Sequence, residues 1–248
     1  MQRYFIKFAY NGDAYHGWQI QENAHTVQAE LDNALSTVFA KKIKTTGCSR
    51  TDAGVHAKEF YVHFESERTD LENLNLLFKL NTFLPRDIAA YKIFKVQPKA
   101  HARYDAISKT YCYHITRIKD PLMFDHYYYL YGDLDVKLMN EASKIMMKYN
   151  DFSCFSKSHT QVKTTLCNIN EAFWKEENNL LTFTINANRF LRDMVRAIVG
   201  TILEVGKKQI TIEEFKNIIE KGNRSDAGVS VPAHGLCLMK VNYMGDLK

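Results

Sequence analysis

Residues 45–64 read TTGCSRTDAGVHAKEFYVHF, a glycine-punctuated loop that runs into a strand. Within it Arg50 and Asp52 stand two residues apart, with Gly47 before them and Gly54 after. Glycines let a backbone fold tightly and let a ligand come close. An aspartate in this setting has two readings: a turn former whose carboxylate accepts from neighbouring N–H groups, or a carboxylate offered to a ligand. Working outward, the preceding chain alternates, so that Tyr4, Ile6, Phe8 and Tyr10 share one face of a strand. The loop NGDAYHGWQIQENAH follows. From Thr26 the apolar Val27, Leu31, Ala34, Leu35, Val38 and Phe39 recur at helical spacing, with Thr26 placed as the cap. The quoted stretch thus closes a β-α-β order.

Downstream, the spacing predicts a short helix around Leu71–Lys79 and a strand near Ile88–Val96. Two further strands, ISKTYCYHITRI and DHYYYLY, precede a helix from Asp135. Two strands broken at KEENN come next, then a long helix from Phe190 to about Val205 and a helix opened by the capping box Thr211 to Glu214. GLCLMKVNYM reads as a last strand. Strands joined by short turns pair antiparallel, and strict βα alternation is missing. The expectation is an α+β fold of two mixed halves, residues 1–104 and 105–248, with largely antiparallel sheets.

At 248 residues and 46% hydrophobic composition the chain can bury a substantial core. No apolar run approaches the roughly 18 residues that span a bilayer, and MQRYFIKFAY lacks the apolar core of a signal peptide. The five cysteines are odd in number and scattered, as in a reduced compartment, so the expected location is cytoplasmic, with no membrane partner. No CxxC, HExxH or close Cys/His cluster points to a metal. A formal charge of +5 suits a polyanionic partner but does not by itself identify one.

Two more stretches carry candidate chemistry. In NRFLRDMVRAIVGTILEVG, Arg189, Arg192, Arg196 and Gly200 line one face of an otherwise apolar helix. A solvated basic stripe is one reading. The other places an arginine partly inside, where it needs a carboxylate partner. In HARYDAISKTYCYHITR, Arg103, Lys109 and Arg117 interleave with Tyr104, Tyr111 and Tyr113, as phosphate-neutralising cations and base-stacking rings would. Strand tyrosines are more often core, and Tyr113 is read so.

Seven separated segments, YNGDAYHGWQIQ, TVQAELDNAL, SRTDAGVHA, LNTFLPRDI, HARYDAISKTYCYHI, FLRDMVRAIVGTILEVG and VPAHGLCL, run in the order found in the tRNA pseudouridine synthase A family, which the chain resembles along nearly its whole length. The resemblance implies two halves joined around a central RNA-binding cleft. It makes Asp52 the catalytic aspartate, Tyr111 the active-site tyrosine against the target base, and Arg196 the ion-pair partner of Asp52. It gives Arg50 a part in extruding the target nucleotide and sets Leu236 beside the uracil. The implied partners are tRNA, modified in the anticodon stem-loop at positions 38 to 40, and a second copy of the chain in a homodimer. Ala100, Asn150 and Cys167 stand where the family more often has an aromatic residue, His and Arg. SDAGVS, from Ser225, repeats the DAGV tetrapeptide, but no arginine stands two residues before Asp226, which is read as structural.

The implied reaction breaks the C1′–N1 glycosidic bond, turns the uracil and joins C1′ to C5, so it needs an ionised carboxylate and no cofactor. A stacked uridine must also be flipped out, at a cost of a few kcal/mol that contacts elsewhere offset. Lys41, Lys42, Lys44, Arg103, Lys109 and Arg192 are candidate phosphate contacts. Two other readings compete. An RNA-binding module on the same fold would not need Asp52, and a glycoside hydrolase would want a second carboxylate as general acid.

Overall fold

The computed structural model describes residues 1–72, 74–157 and 163–245. The chain divides into two compact units, one of residues 1–108 with 237–248 and one of residues 109–236. The closing strand, grouped with the second half on sequence order, thus packs with the first unit.

In the first unit β1 (Gln2–Tyr10) lies between two antiparallel neighbours, β3 (His56–Ser66) and β4 (Ile88–Lys95). The two-residue β2 (Thr46–Gly47) pairs with β3. β9 (Leu236–Tyr243), all but its first residue part of this unit, runs parallel to β3 with Cys237 beside His56. The alternation of β1 sets this register: Tyr4 faces Phe64, Ile6 faces Val62 and Phe8 faces Phe60, and all six are buried. Such cross-strand aromatic and β-branched pairs are the units that stabilise a sheet. The second face of β1 is covered too, since Phe5 packs against Phe94 and Tyr243. Helix α1 (Val27–Phe39) buries Val27, Leu31, Leu35 and Val38, and Thr26 caps it by accepting from the Ala29 N–H. Helix α2 (Leu74–Phe83) starts and ends a few residues later than the spacing predicts.

The second unit holds most of β5 (Ala106–Thr116), then β7 (Ile169–Glu177) and β8 (Leu180–Ala187), antiparallel in the order β5, β8, β7. Asn178 and Asn179 form the hairpin turn with φ of 49° and 64°. Left-handed φ at both positions matches the twist of the flanking strands, and Asn tolerates it better than most residues. Trp174 stacks on its partner Phe183. The expected strand DHYYYLY shrinks to β6 (Tyr128–Tyr129), which pairs with β5 in parallel.

Three helices complete the second unit: α3 (Val136–Met146), α4 (Met194–Gly206) and α5 (Ile212–Lys221). Asp135 and Thr211 cap α3 and α5, the latter with the reciprocal Glu214 bond of the capping box. The long helix begins at Met194 rather than Phe190, because Asp193 takes a left-handed φ of 66° and ends the turn before it. Every residue of α4 except Arg196 and Glu204 is buried, as its apolar composition requires. Mixed helices with a largely antiparallel sheet are the expected α+β class.

Candidate functional site

Asp52 is half-buried on the loop between β2 and β3. The loop between β1 and α1 holds that segment backbone to backbone. The Trp18 N–H donates to the Thr51 carbonyl at 3.3 Å, and the Gly54 N–H donates to the Tyr15 carbonyl at 3.2 Å. The Gly12 N–H donates to His56 Nδ1 at 3.0 Å, and the hydroxyls of Tyr10 and Thr51 share a hydrogen bond of 2.9 Å. The approach is close enough to exclude side chains. A Cβ at Gly12 would lie 2.0 Å from the Val55 carbonyl oxygen, and one at Gly17, whose φ is +89°, would lie 2.4 Å from that of Thr51. Tyr15 is fixed in turn, its hydroxyl donating to Asp87 at 2.7 Å. These are the residues that sequence reasoning missed. Their signal was present as the glycines of NGDAYHGW, but a loop glycine does not announce what it packs against.

Arg50 and Arg103 are exposed and together line a cavity of about 210 Å³ with Trp18, Gln19, Gln28, Thr45, Thr46, Gly47 and Ser49. Imidazoles shape the turn that carries Arg103. His101 Nδ1 accepts from the N–H groups of Arg103 and Tyr104, and His63 Nδ1 accepts from that of Ala102 at 3.1 Å. Burial pushes His63 down to about 4, with the neighbouring His101 and Arg3 adding to the shift. His101 is lowered chiefly by burial as well. Both rings are therefore neutral acceptors at pH 7. The Arg103 guanidinium lies 5.9 Å from the centre of the exposed Tyr104 ring. A larger groove, about 550 Å³, carries Lys41, Lys42, Lys44, Arg3 and Arg68, but Glu65 and Glu67 pair with Arg3 and Lys41 within it.

In the second unit Tyr111 is buried, with its ring edge-on to Phe190 at 5.1 Å. Tyr113 is fully buried and donates to the Pro232 carbonyl at 2.8 Å, the core role expected of it. Leu236 is buried and Arg192 exposed. Lys109 is only 8% exposed, so it does not offer the surface cation that a backbone phosphate contact needs. Arg196 is partly inside and has a carboxylate partner on its own segment: Nη1 lies 2.9 Å from Asp193 Oδ1, and Nε donates to the Val231 carbonyl at 2.7 Å. Asp226 is exposed in a short 3-10 turn.

Among the described residues no three His, Cys, Asp or Glu side chains gather closely enough to hold a metal ion, and no helix is long and apolar enough to cross a membrane. The first unit offers an aspartate on a pinned loop beside exposed cations, and the second offers a buried tyrosine and a held arginine.

Comparison with known proteins adds a second line of evidence. The family model described as tRNA pseudouridine synthase matches residues 149–244. The tRNA pseudouridine synthase A of Parabacteroides distasonis is 50% identical over 247 residues, covering 100% of this chain and 98% of that protein. That of Bacteroides thetaiotaomicron is 48% identical, covering 100% and 93%. The Clostridium acetobutylicum protein of the same name is 40% identical, covering 98% and 100%.

Proposed function

This chain belongs to the tRNA pseudouridine synthase A family and is an isomerase of uridine in tRNA, and we propose that Asp52 is the carboxylate that carries the reaction. The observation that supports the assignment is the clamp on its loop, because a reacting group is useful only when its position is held against thermal motion. Fixing the loop through its backbone holds a half-buried aspartate in place.

The isomerisation breaks C1′–N1, forms C1′–C5, moves the C5 proton away and leaves N1 protonated, with no net change in atoms. The ionised Asp52 acts at the sugar or the base. Arg196 supplies the positive charge that keeps the carboxylate ionised against desolvation. Tyr111 lies against the target base and receives or relays the C5 proton, and Leu236 packs beside the uracil. These roles rest on the family resemblance at TDAG, KTYCY, MVRAIVG and HGLCL.

Flipping the uridine requires grip on the surrounding RNA. Arg50 helps to extrude the nucleotide, and the cavity it shares with Arg103 suits a phosphate or base edge next to the target. Lys41, Lys42, Lys44 and Arg192 are exposed and fit as further phosphate contacts. Lys109, enclosed as it is, fits a role close to the reacting nucleotide better than one on the outer backbone. The proposal extends to a cytoplasmic homodimer acting on the anticodon stem-loop, at positions 38 to 40.

The test is incubation with unmodified tRNA transcripts, without cofactor or metal, and mapping of pseudouridine by its stable carbodiimide adduct. Signal confined to the anticodon stem-loop that disappears with Asp52→Ala is the expected result. Signal elsewhere in the tRNA would overturn the site of modification, and persistence of signal in Asp52→Ala would overturn the role of the aspartate.

A further inference from the structure

The helix that carries Arg196 is overlaid by residues 227–231, the stretch that repeats the DAGV tetrapeptide. Gly200 makes the contact: a Cβ there would lie 1.9 Å from the Val229 carbonyl oxygen. One residue on, Thr201 Oγ1 accepts from the Gly228 N–H at 2.9 Å. The loop is braced from its other side by Arg224, whose Nη1 donates to the carbonyls of Ala227 and Gly228 and whose Nη2 donates to Ser230 Oγ at 3.0 Å.

This loop and the turn before α4 close on the Arg196 guanidinium. Nε donates to the Val231 carbonyl, while Nη1 meets Asp193 Oδ1 in an ion pair whose two side chains are 21% and 15% exposed. The second oxygen of Asp193 accepts a hydrogen bond from Ser230. The carboxylate is therefore held by the same loop that holds Nε. Asp193 also occupies a left-handed backbone position, φ 66°, that turns its side chain back to Arg196 instead of capping the helix.

We propose that Asp193 and Ser230 are positioning residues for Arg196, fixing the plane of its guanidinium before substrate arrives. The inference rests on the functional reading of Arg196 and adds to it the means by which the side chain is aimed. A free arginine has many rotamers to give up on each productive encounter. Gripped at Nε and Nη1, Arg196 has lost most of them in the folded enzyme, and a preorganised charge needs no rearrangement during reaction.

The left-handed position makes clean variants available, since Asn and Gly both tolerate it. Asp193→Gly deletes the grip without backbone strain, Asp193→Asn keeps an acceptor for Ser230 and loses the ion pair, and Ser230→Ala removes the brace alone. Steady-state kinetics on a tRNA transcript are expected to show kcat on the order of tenfold lower for Asp193→Gly with KM within about twofold, and smaller losses for the other two. In an Arg196→Lys background, where one ammonium cannot be held at two nitrogens, Asp193→Gly is expected to cost much less. Thermal midpoints separate misfolding from misaiming, and Ser230→Ala carries the test if Asp193→Gly proves unstable. Equal losses in both backgrounds, or a change confined to KM, would overturn the positioning role. Arg196→Leu separates the two layers: if that variant turns over normally, the reading of Arg196 falls and this inference with it. If Arg196→Leu is crippled while Asp193→Gly and Ser230→Ala are normal, only the inference falls.

Discussion

The tetrapeptide Asp-Ala-Gly-Val occurs twice, at 52–55 and at 226–229, and the two copies share almost no structure. Gly54 takes a φ of 78° and its N–H bonds the Tyr15 carbonyl, whereas Gly228 stays out of the left-handed region and its N–H bonds the Thr201 hydroxyl. Val55 is 1% exposed and leads into β3, while Val229 is 84% exposed. Asp52 is half-buried, and Asp226 is exposed. The difference comes from what each copy is pressed against. The first meets a loop whose glycines admit its backbone, and the second lies across a buried helix whose Gly200 does the same. A short motif acquires chemistry from the surface that receives it.

The largest contrast lies in the carboxylates. Asp52→Ala should lower pseudouridine formation on the order of a thousandfold or more, while Asp226→Ala should stay within about twofold. Comparable losses from both would erase the distinction. Next come the glycines that admit each loop. Gly17→Ala must push a methyl group against the Thr51 carbonyl in a left-handed position, and Gly200→Ala must push one against that of Val229. Each should cost about 2–4 kcal/mol in chemical denaturation. A wild-type midpoint in either variant would mean that the loop simply moves aside.

The turn carrying Arg103 offers a third kind of anchoring, by imidazole acceptors, and it should respond to acid where the glycine clamps do not. The His63 value is depressed to about 4, so the stability that its neutral form contributes is present above about 6.5 and lost as pH falls through 4. Against His63→Asn, which keeps an acceptor, the wild type should lose up to about 3 kcal/mol over that window. Parallel stability curves for the two proteins would remove the histidine from the account. The smallest expected effect is in the valines. Val55→Ala should cost about 1–2 kcal/mol and Val229→Ala no more than about 0.5, so equal values would show that the copies are buried alike.

Local rules carried much of the fold. Thr26, Asp135 and the Thr211–Glu214 pair cap the helices they precede, and the alternation of β1 predicted its buried face. Periodicity overran where a single backbone angle intervened, as at Asp193, whose left-handed turn is invisible to a count of apolar residues. It also overran at DHYYYLY, because strand propensity does not supply a partner and the pairing with β5 covers only Tyr128, Tyr129 and the Leu130 N–H. Physical reasoning on the arginine helix foresaw a partly enclosed guanidinium with a carboxylate, but it did not foresee Asp193, three residues away in the same sequence. The clamp on the Asp52 loop was illegible for a different reason. Contacts between backbones leave no trace in side-chain chemistry beyond the glycines that permit them.

Strand β9 pairs Cys237 with His56 although the intervening chain builds a separate unit. The first unit is therefore incomplete until residues 237–243 have been made. During synthesis the Asp52 loop leads into a strand that still lacks its neighbour, an unpaired edge of the kind that other chains can capture. The long sequence separation also slows closure, because the loop must be ordered before the pairing rewards it. A chain stopped just after Leu236 would carry every residue of the proposed site and still lack the strand that finishes the unit holding Asp52.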